Sequence, residues 1–229
     1  MSVEGPKFDW RAAADGRRDA PSARRNAGAI LAVLARVLPP PGTGRERRRP
    51  LVLEIAGGTG QHAVFMACNL PHLDWLASDP AAELGPSLAA WARAAAPPAG
   101  PPNLLAPRVI DATDADWGLA AAETRRLVAI VNANMIHIAP WAAAEGLVAG
   151  AGRHLPRGGA LYLYGPFKRG GVHTAPSNAA FDTMLRGRDP AWGLRDLDAV
   201  ETLAEAAGFV LAEVVEMPAN NLSVVFRKA

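Results

Sequence analysis

Carboxylates and carboxamides stand where short apolar runs stop. Glu54 follows Leu51-Val52-Leu53, Asp79 follows Leu76-Ala77-Ser78, Asp111 follows Val109-Ile110, and Asn132 and Asn134 follow Ala129-Ile130-Val131. Between the first two acids lies Ala56-Gly57-Gly58-Thr59-Gly60-Gln61-His62-Ala63. Glycine is needed where the backbone takes φ > 0 or lets a ligand touch the main chain. The helix starting behind it offers free N–H groups to a polar ligand. Strand, tight turn and helix start, in that order, describe a turn that binds a nucleotide cofactor.

Two cofactors compete for it. Gly58-Thr59-Gly60-Gln61-His62-Ala63 satisfies the dinucleotide pattern, with Asp79 about 20 residues on. The same geometry serves S-adenosylmethionine (SAM), with the acid ending the second strand on both ribose hydroxyls. Glu54 favours SAM, because a carboxylate there suits a cationic amino acid moiety and would stand badly beside a pyrophosphate. The expected cofactor-binding residues are Glu54, Ala56, Gly57, Gly58, Gly60, Asp79, Asp111, Ala112, Asn134 and Met135. Asp79 takes the ribose; its plainer reading is an Asx turn or helix cap before Pro80. Asp111 or the Ala112 N–H meets the adenine edge, and Asn134 bonds the amino acid part. Ala56 stands where a glycine is common and fits if its φ is negative.

Candidates for the chemistry itself are His137 and Tyr164, close behind the fourth and fifth strands. His137 is either a base or a hydrogen-bonded structural histidine. Asn26, Asn178 and Asn221 are the candidate substrate contacts. No metal site is expected, since His62, His72, His137, His154 and His173 are dispersed and no Cys/His pair has ligand spacing. Cys68 is expected to be a small buried hydrophobe. Tyr164-Gly165-Pro166-Phe167-Lys168 imitates a dehydrogenase Y-x-x-x-K, but that pair needs one helix face and Gly165-Pro166 forbids a helix.

Alternating strands and helices position these groups. Ile30, Val33, Leu34, Val37 and Leu38 form one helical face within a helix from about Asn26 to Pro39. Residues 1–23 lack periodicity and read as an arm or lid; residues 24–229 read as one domain. Gly42 to Pro50, with Arg45-Glu46-Arg47-Arg48-Arg49, reads as a solvated connector. Strands are expected from Leu51, at Leu73–Ala77, at Leu104–Ile110 across Pro107, at Leu127–Val131 and at Gly159–Tyr164. Helices are expected after the glycine turn, at about 83–96 and at about 142–155. Near the end, Val200, Leu203, Ala204 and Ala207 make a helical face. Phe209–Glu216 and Leu222–Phe226 are too close for a parallel crossover, which needs about a dozen residues, so they form an antiparallel hairpin. An α/β mixed sheet of seven strands, with helices on both faces, follows. Residues 165–196 form a polar, glycine-interrupted insertion read as a lid or substrate wall; its Phe167, Phe181 and Trp192 line a pocket or make a small anchoring core.

The bulk numbers agree. The 229 residues are 50% hydrophobic and 20% charged, with a net charge of +2 and one cysteine. That suits one sizeable core, no disulfide, and no strong attraction to nucleic acid or membrane. No apolar run reaches the ~20 residues of a membrane span. A cytoplasmic location is the expectation.

Ala56 to Ala63, Ser78-Asp79-Pro80, Asn134-Met135-Ile136-His137-Ile138, Leu163-Tyr164-Gly165-Pro166-Phe167, Ser177-Asn178-Ala179-Ala180-Phe181-Asp182, Trp192-Gly193-Leu194-Arg195-Asp196 and Met217-Pro218-Ala219-Asn220-Asn221-Leu222 together resemble the methyltransferase-like 26 family, a domain-of-unknown-function group. The resemblance runs from about Arg25 to Lys228. It implies the Class I methyltransferase (Rossmann-like) fold and SAM as cofactor, with S-adenosylhomocysteine as product if methyl is transferred. Ala139-Pro140-Trp141 departs from relatives, which tend to carry Ser before the proline. The expected function is methyl transfer to a small molecule. The rivals are a SAM-consuming cyclase or lyase that releases methylthioadenosine, and a silent SAM-binding protein.

Overall fold

The computed structural model describes residues 11–42, 48–82 and 84–229. The apolar runs become β1 (Leu51–Ile55), β2 (Asp74–Asp79), β3 (Arg108–Val109), β4 (Leu127–Ala133), β5 (Ala160–Gly165), β6 (Phe209–Met217) and β7 (Asn221–Lys228). They join in one seven-stranded sheet of order β6-β7-β5-β4-β1-β2-β3. β1 runs parallel to β2 and β4, β2 to β3, and β4 to β5. β7 is antiparallel to both β5 and β6, as a short hairpin demands. Strand order reverses beside β1, so the loops after β1 and β4 diverge and open a crevice at their carboxyl ends.

Helices cover both faces: α1 (Pro21–Val37), α2 (Gln61–Asn69) and α3 (Leu84–Ala95) on one, α4 (Trp141–His154) and α6 (Leu197–Ala206) on the other. All residues of β1 and β5 are therefore buried. One core layer joins Ile30, Leu34, Met66, Leu88 and Tyr162; the other joins Leu53, Ile130, Leu147, Val200 and Phe226.

Several boundaries differ from expectation. α1 begins at Pro21, five residues before Asn26, because proline at a first helical position costs nothing and its polar first turn carries no apolar signal. β2 extends through Asp79 itself. β3 shrinks to two residues, with Leu104 adding a single bridge to Trp75; Pro107 interrupts the ladder by lacking an N–H. A short helical turn at Ala121–Thr124 precedes β4. Of the expected arm, residues 1–10 lie outside the described residues, and Arg11–Ala12 pairs with Arg18–Asp19 in a small hairpin. Of the expected connector, 43–47 likewise lie outside them, as does Glu83 at the expected start of the third helix.

The insertion after β5 is ordered. Lys168–Arg169 and Val172–His173 form a hairpin whose turn, Gly170-Gly171, has φ of 57 and 79°, the left-handed pair that a two-residue hairpin turn favours. Helix α5 (Pro176–Arg188) follows. Phe181 and Trp192 pack with Leu185 and Leu194 in a small separate core, while Phe167 belongs to the main core. No helix among the described residues is long and apolar enough to cross a membrane.

Candidate active site

The glycine turn is built on alternating left-handed residues: Ala56 (φ 58°), Gly58 (φ 58°) and Gly60 (φ 79°). The expectation of a negative φ at Ala56 is therefore corrected. The turn must reverse immediately after β1, and the alanine accepts a conformation that costs an L-residue about 1–2 kcal/mol. Gly60 is required twice over, since a Cβ there would also stand 2.8 Å from the Leu88 side chain. Gly57 donates its N–H to the Ser78 carbonyl at 2.8 Å, tying the turn to β2. Asp79 accepts the Gly58 N–H at 2.9 Å and the Ala81 N–H at 3.0 Å. The second of these is the Asx turn; the first holds the carboxylate against the glycine turn.

Glu54 points into the α1–α2 layer. It is 2% exposed, and Oε2 accepts the Trp75 indole N–H at 2.8 Å. Burial pushes its carboxyl up to about 7, against the opposing Trp75 hydrogen bond. Its side chain borders a small cavity with His62, Met66, Val131 and Tyr162. Asp111 accepts Thr113 N–H and hydroxyl bonds at 2.8 and 2.7 Å, and Ala112 beside it is buried. This loop nestles on α4 because a Cβ on Gly146 would strike the Ala112 carbonyl and one on Gly150 the Trp117 indole.

Asn132 turns inward and donates Nδ2–H to the Ile55 carbonyl at 2.9 Å, bracing β4 against β1; its Oδ1 is buried without a partner. Asn134 adopts φ 66° and donates its N–H to the Tyr164 carbonyl at 2.8 Å, turning the chain into the Met135–His137 helical turn. Met135 is buried beneath that turn. His137 is walled in completely: Phe167 meets its ring edge-on at 4.8 Å, and Nδ1 accepts the Arg195 N–H at 3.2 Å. Nε2 is buried without a partner and faces Gly165, where a Cβ would collide with it. Burial pushes this imidazole down to about 3, so it stays neutral. That environment fits the structural reading of His137. The Arg195 guanidinium binds the Ile136 and Ala139 carbonyls at 2.8 and 2.6 Å, clamping the insertion onto the loop after β4.

Tyr164 is buried at the end of β5, and burial raises its hydroxyl above the ordinary value despite a hydrogen bond from Asn26. Asn26 Oδ1 lies 2.7 Å from His62 Nε2. α1, the glycine turn and β5 thus meet through Asn26, His62 and Tyr164. Asn178 donates to Thr174 Oγ1 and the Asn220 carbonyl, each at 2.9 Å, fastening α5 to the β6–β7 turn. Asn221 donates to the Pro218 and Ala219 carbonyls at 2.9 and 3.2 Å within that turn. Asn178 and Asn221 thus meet at the β6–β7 turn, and both of their amide nitrogens serve the fold. His62 was missed; its only signal was its place directly behind the glycine turn. Arg195 stood only within the Trp192–Asp196 motif of the resemblance, with no role attached to it. Cys68 is exposed, contrary to expectation, because α2 turns that flank outward.

Solved structures share this architecture. Human N-acetylserotonin methyltransferase, in complex with SAM, superposes with a TM-score of 0.68 at 14% identity over 91% of this chain and 53% of its own. An O-methyltransferase family 2 protein from Planctomyces limnophilus, in complex with apigenin, gives 0.67 at 20% over 91 and 61%. The mitomycin 7-O-methyltransferase MmcR gives 0.69 at 12% over 91 and 54%. The chain thus spans little more than half the length of these proteins. The fold is the Class I methyltransferase fold, a Rossmann-like mixed sheet of seven strands. A family model described as a protein of unknown function, DUF938, matches residues 17–228. The chain belongs to the DUF938 family.

Proposed function

We propose that this protein is a SAM-dependent methyltransferase acting on a small molecule. The observation that carries the reading is a left-handed glycine turn set among carboxylates at the ends of successive strands: Glu54, Asp79 and Asp111. That donor and acceptor set fits the cofactor. Glu54 lies on the amino acid side, Asp79 suits a pair of ribose hydroxyls, and Asp111 with the Ala112 N–H suits an adenine edge. Asn134 and Met135 close the amino acid end. When bound, SAM supplies a methyl group on a sulfonium, ready for in-line displacement.

The chain's own part is alignment and exclusion of water. Tyr164 keeps its proton at neutral pH and serves as a hydrogen-bond donor. His137 is shut away from solvent and holds the loop that carries Asn134. Asn26 and His62 orient Tyr164 from the α1 side. An amine or thiolate acceptor needs little proton transfer from these groups, whereas a hydroxyl or carboxylic acid needs a base or a polarising contact. Residues 165–196, tied to the loop after β4 by Arg195 and to the β6–β7 turn by Asn178, support a small-molecule acceptor as the candidate substrate wall.

Mass spectrometry of the protein incubated with SAM, with and without a small-molecule extract of its host, tests the proposal. The expected outcome is S-adenosylhomocysteine that depends on extract, together with a species heavier by one methylene. Methylthioadenosine from SAM alone would instead identify a cyclase or lyase. Binding of SAM with no turnover of either kind would leave a silent SAM-binding protein.

A further inference from the structure

The segment ahead of α1 has no part in the reading above, yet it is fastened to two elements at once. On α3, the Trp91 indole N–H donates to the Arg18 carbonyl at 2.8 Å, and the Arg17 guanidinium lies 4.8 Å over the same ring. Ser87 Oγ accepts the Arg18 N–H at 3.0 Å and donates to the Thr59 carbonyl at 2.7 Å. In the glycine turn, the Gln61 carboxamide is used at both ends. Its Oε1 accepts the Ala20 N–H at 2.6 Å and the Thr59 hydroxyl at 2.9 Å, and its Nε2 donates to Asp19 Oδ1 at 2.9 Å. Thr59, Gln61 and Ser87 are all buried. Bonds between buried polar groups are costly to leave half-made, so the contacts form or break together. Gly60, in the middle, packs so closely on Leu88 that a Cβ would stand 2.8 Å from its side chain.

We propose that Arg17–Ala20 is a strap that positions the glycine turn for its cofactor, with Ser87 and Trp91 as the positioning residues that hold strap and turn together. Strap docking and cofactor binding are then one coupled equilibrium, and each must strengthen the other by the same factor. This rests on the SAM reading of the site. Neither Ser87 nor Trp91 belongs to the set assigned to the cofactor, so a change there reaches it only through the turn.

The test is calorimetric titration of the full chain with SAM, for wild type, Trp91→Ala and Ser87→Ala, alongside hydrogen exchange of residues 11–20 with and without SAM. The proposal expects folded variants to bind SAM about tenfold more weakly. It also expects SAM to slow exchange at Arg17–Ala20 in the wild type. Unchanged affinity in both variants, with strap exchange indifferent to SAM, overturns it. Should Trp91→Ala fail to fold, Ser87→Ala, which loses a single oxygen, decides alone. A wild type that does not bind SAM removes the cofactor reading, and the coupling with it. A wild type that binds normally while both variants match it removes the strap alone.

Discussion

Glu54 carries the sharpest consequence of a single residue's surroundings. Its carboxyl titrates near 7 in the fold against an ordinary 4.5, chiefly because it is buried. The folded state therefore binds that proton more tightly than the unfolded chain. Its contribution to stability is whole below about pH 4.5 and is lost as pH rises through 7, a swing of about 3 kcal/mol. Urea denaturation from pH 5 to 8 should show the wild type weakening relative to Glu54→Gln, with the two converging toward pH 5. SAM affinity should rise across the same range in the wild type and stay flat in Glu54→Gln, since only the ionised carboxylate attracts the ammonium. Ala56 makes a second prediction. Glycine there relieves about 1–2 kcal/mol of left-handed strain and costs about 0.4–1 kcal/mol in unfolded-state freedom. Ala56→Gly should raise the melting temperature slightly in a calorimetric scan, and Ala56→Val should lower it.

At the scale of elements, the helix α4 decides where the loop after β3 can lie. Gly146 and Gly150, four residues apart, leave a flat strip on which Ala112 and Trp117 rest. Gly150→Ala inserts a methyl group into the Trp117 indole. It should destabilise the fold by about 1–3 kcal/mol, as overpacking does. Because Asp111 and Ala112 move with the indole, SAM affinity should fall too; calorimetry on the folded fraction would read it. Gly28 on α1 is the control, since a Cβ there meets nothing within 4 Å. Most elements were legible beforehand because β1, β4 and β5 are uninterrupted apolar runs and α1 repeats at helical spacing. β3 was legible in place but not in extent, because its pairing is a matter of two residues and a neighbour's edge. The polar first turn of α1 was invisible for the same reason that its apolar face was plain.

For the molecule as a whole, the question is what fixes residues 165–196 to the rest of the fold. Asp182 is the hub. Lys168 Nζ lies 3.2 Å from its carboxylate, His173 Nε2 3.0 Å and Arg186 Nε 3.3 Å, and the Leu194 N–H donates at 2.7 Å. Burial alone would raise this carboxyl, but the Leu194 N–H, His173 and Lys168 outweigh it and hold it well below the usual carboxylate range. A depressed folded value means the stabilisation is present above the ordinary value and is lost as pH falls through the folded one, so the insertion should loosen in acid. Asp182→Asn should mimic that loosening at neutral pH. Hydrogen exchange should quicken across 168–194 and leave β1, β4 and β5 protected. Uniform loss of protection would instead make the insertion part of the main cooperative unit.

What the sequence determined by itself was everything written in local pattern. Apolar runs bounded by Gly58, Gly60, Asp79 and Asn134 specify strands, turns and the polar positions at strand ends, because backbone geometry and periodic burial act over a few residues. The closing hairpin followed from the same logic, since Met217 and Leu222 are too close in sequence for a crossover. Only the tertiary structure decided how those groups are held. The Glu54–Trp75 bond joins residues 21 apart, Arg195 reaches Ile136 across 59, and Asn26 meets His62 across 36. Partners so distant are chosen by sheet order and helix packing, which no local spacing encodes. The same packing sealed His137, turned Cys68 outward and drove Ala56 left-handed, each against or beyond what its neighbours in the chain suggested.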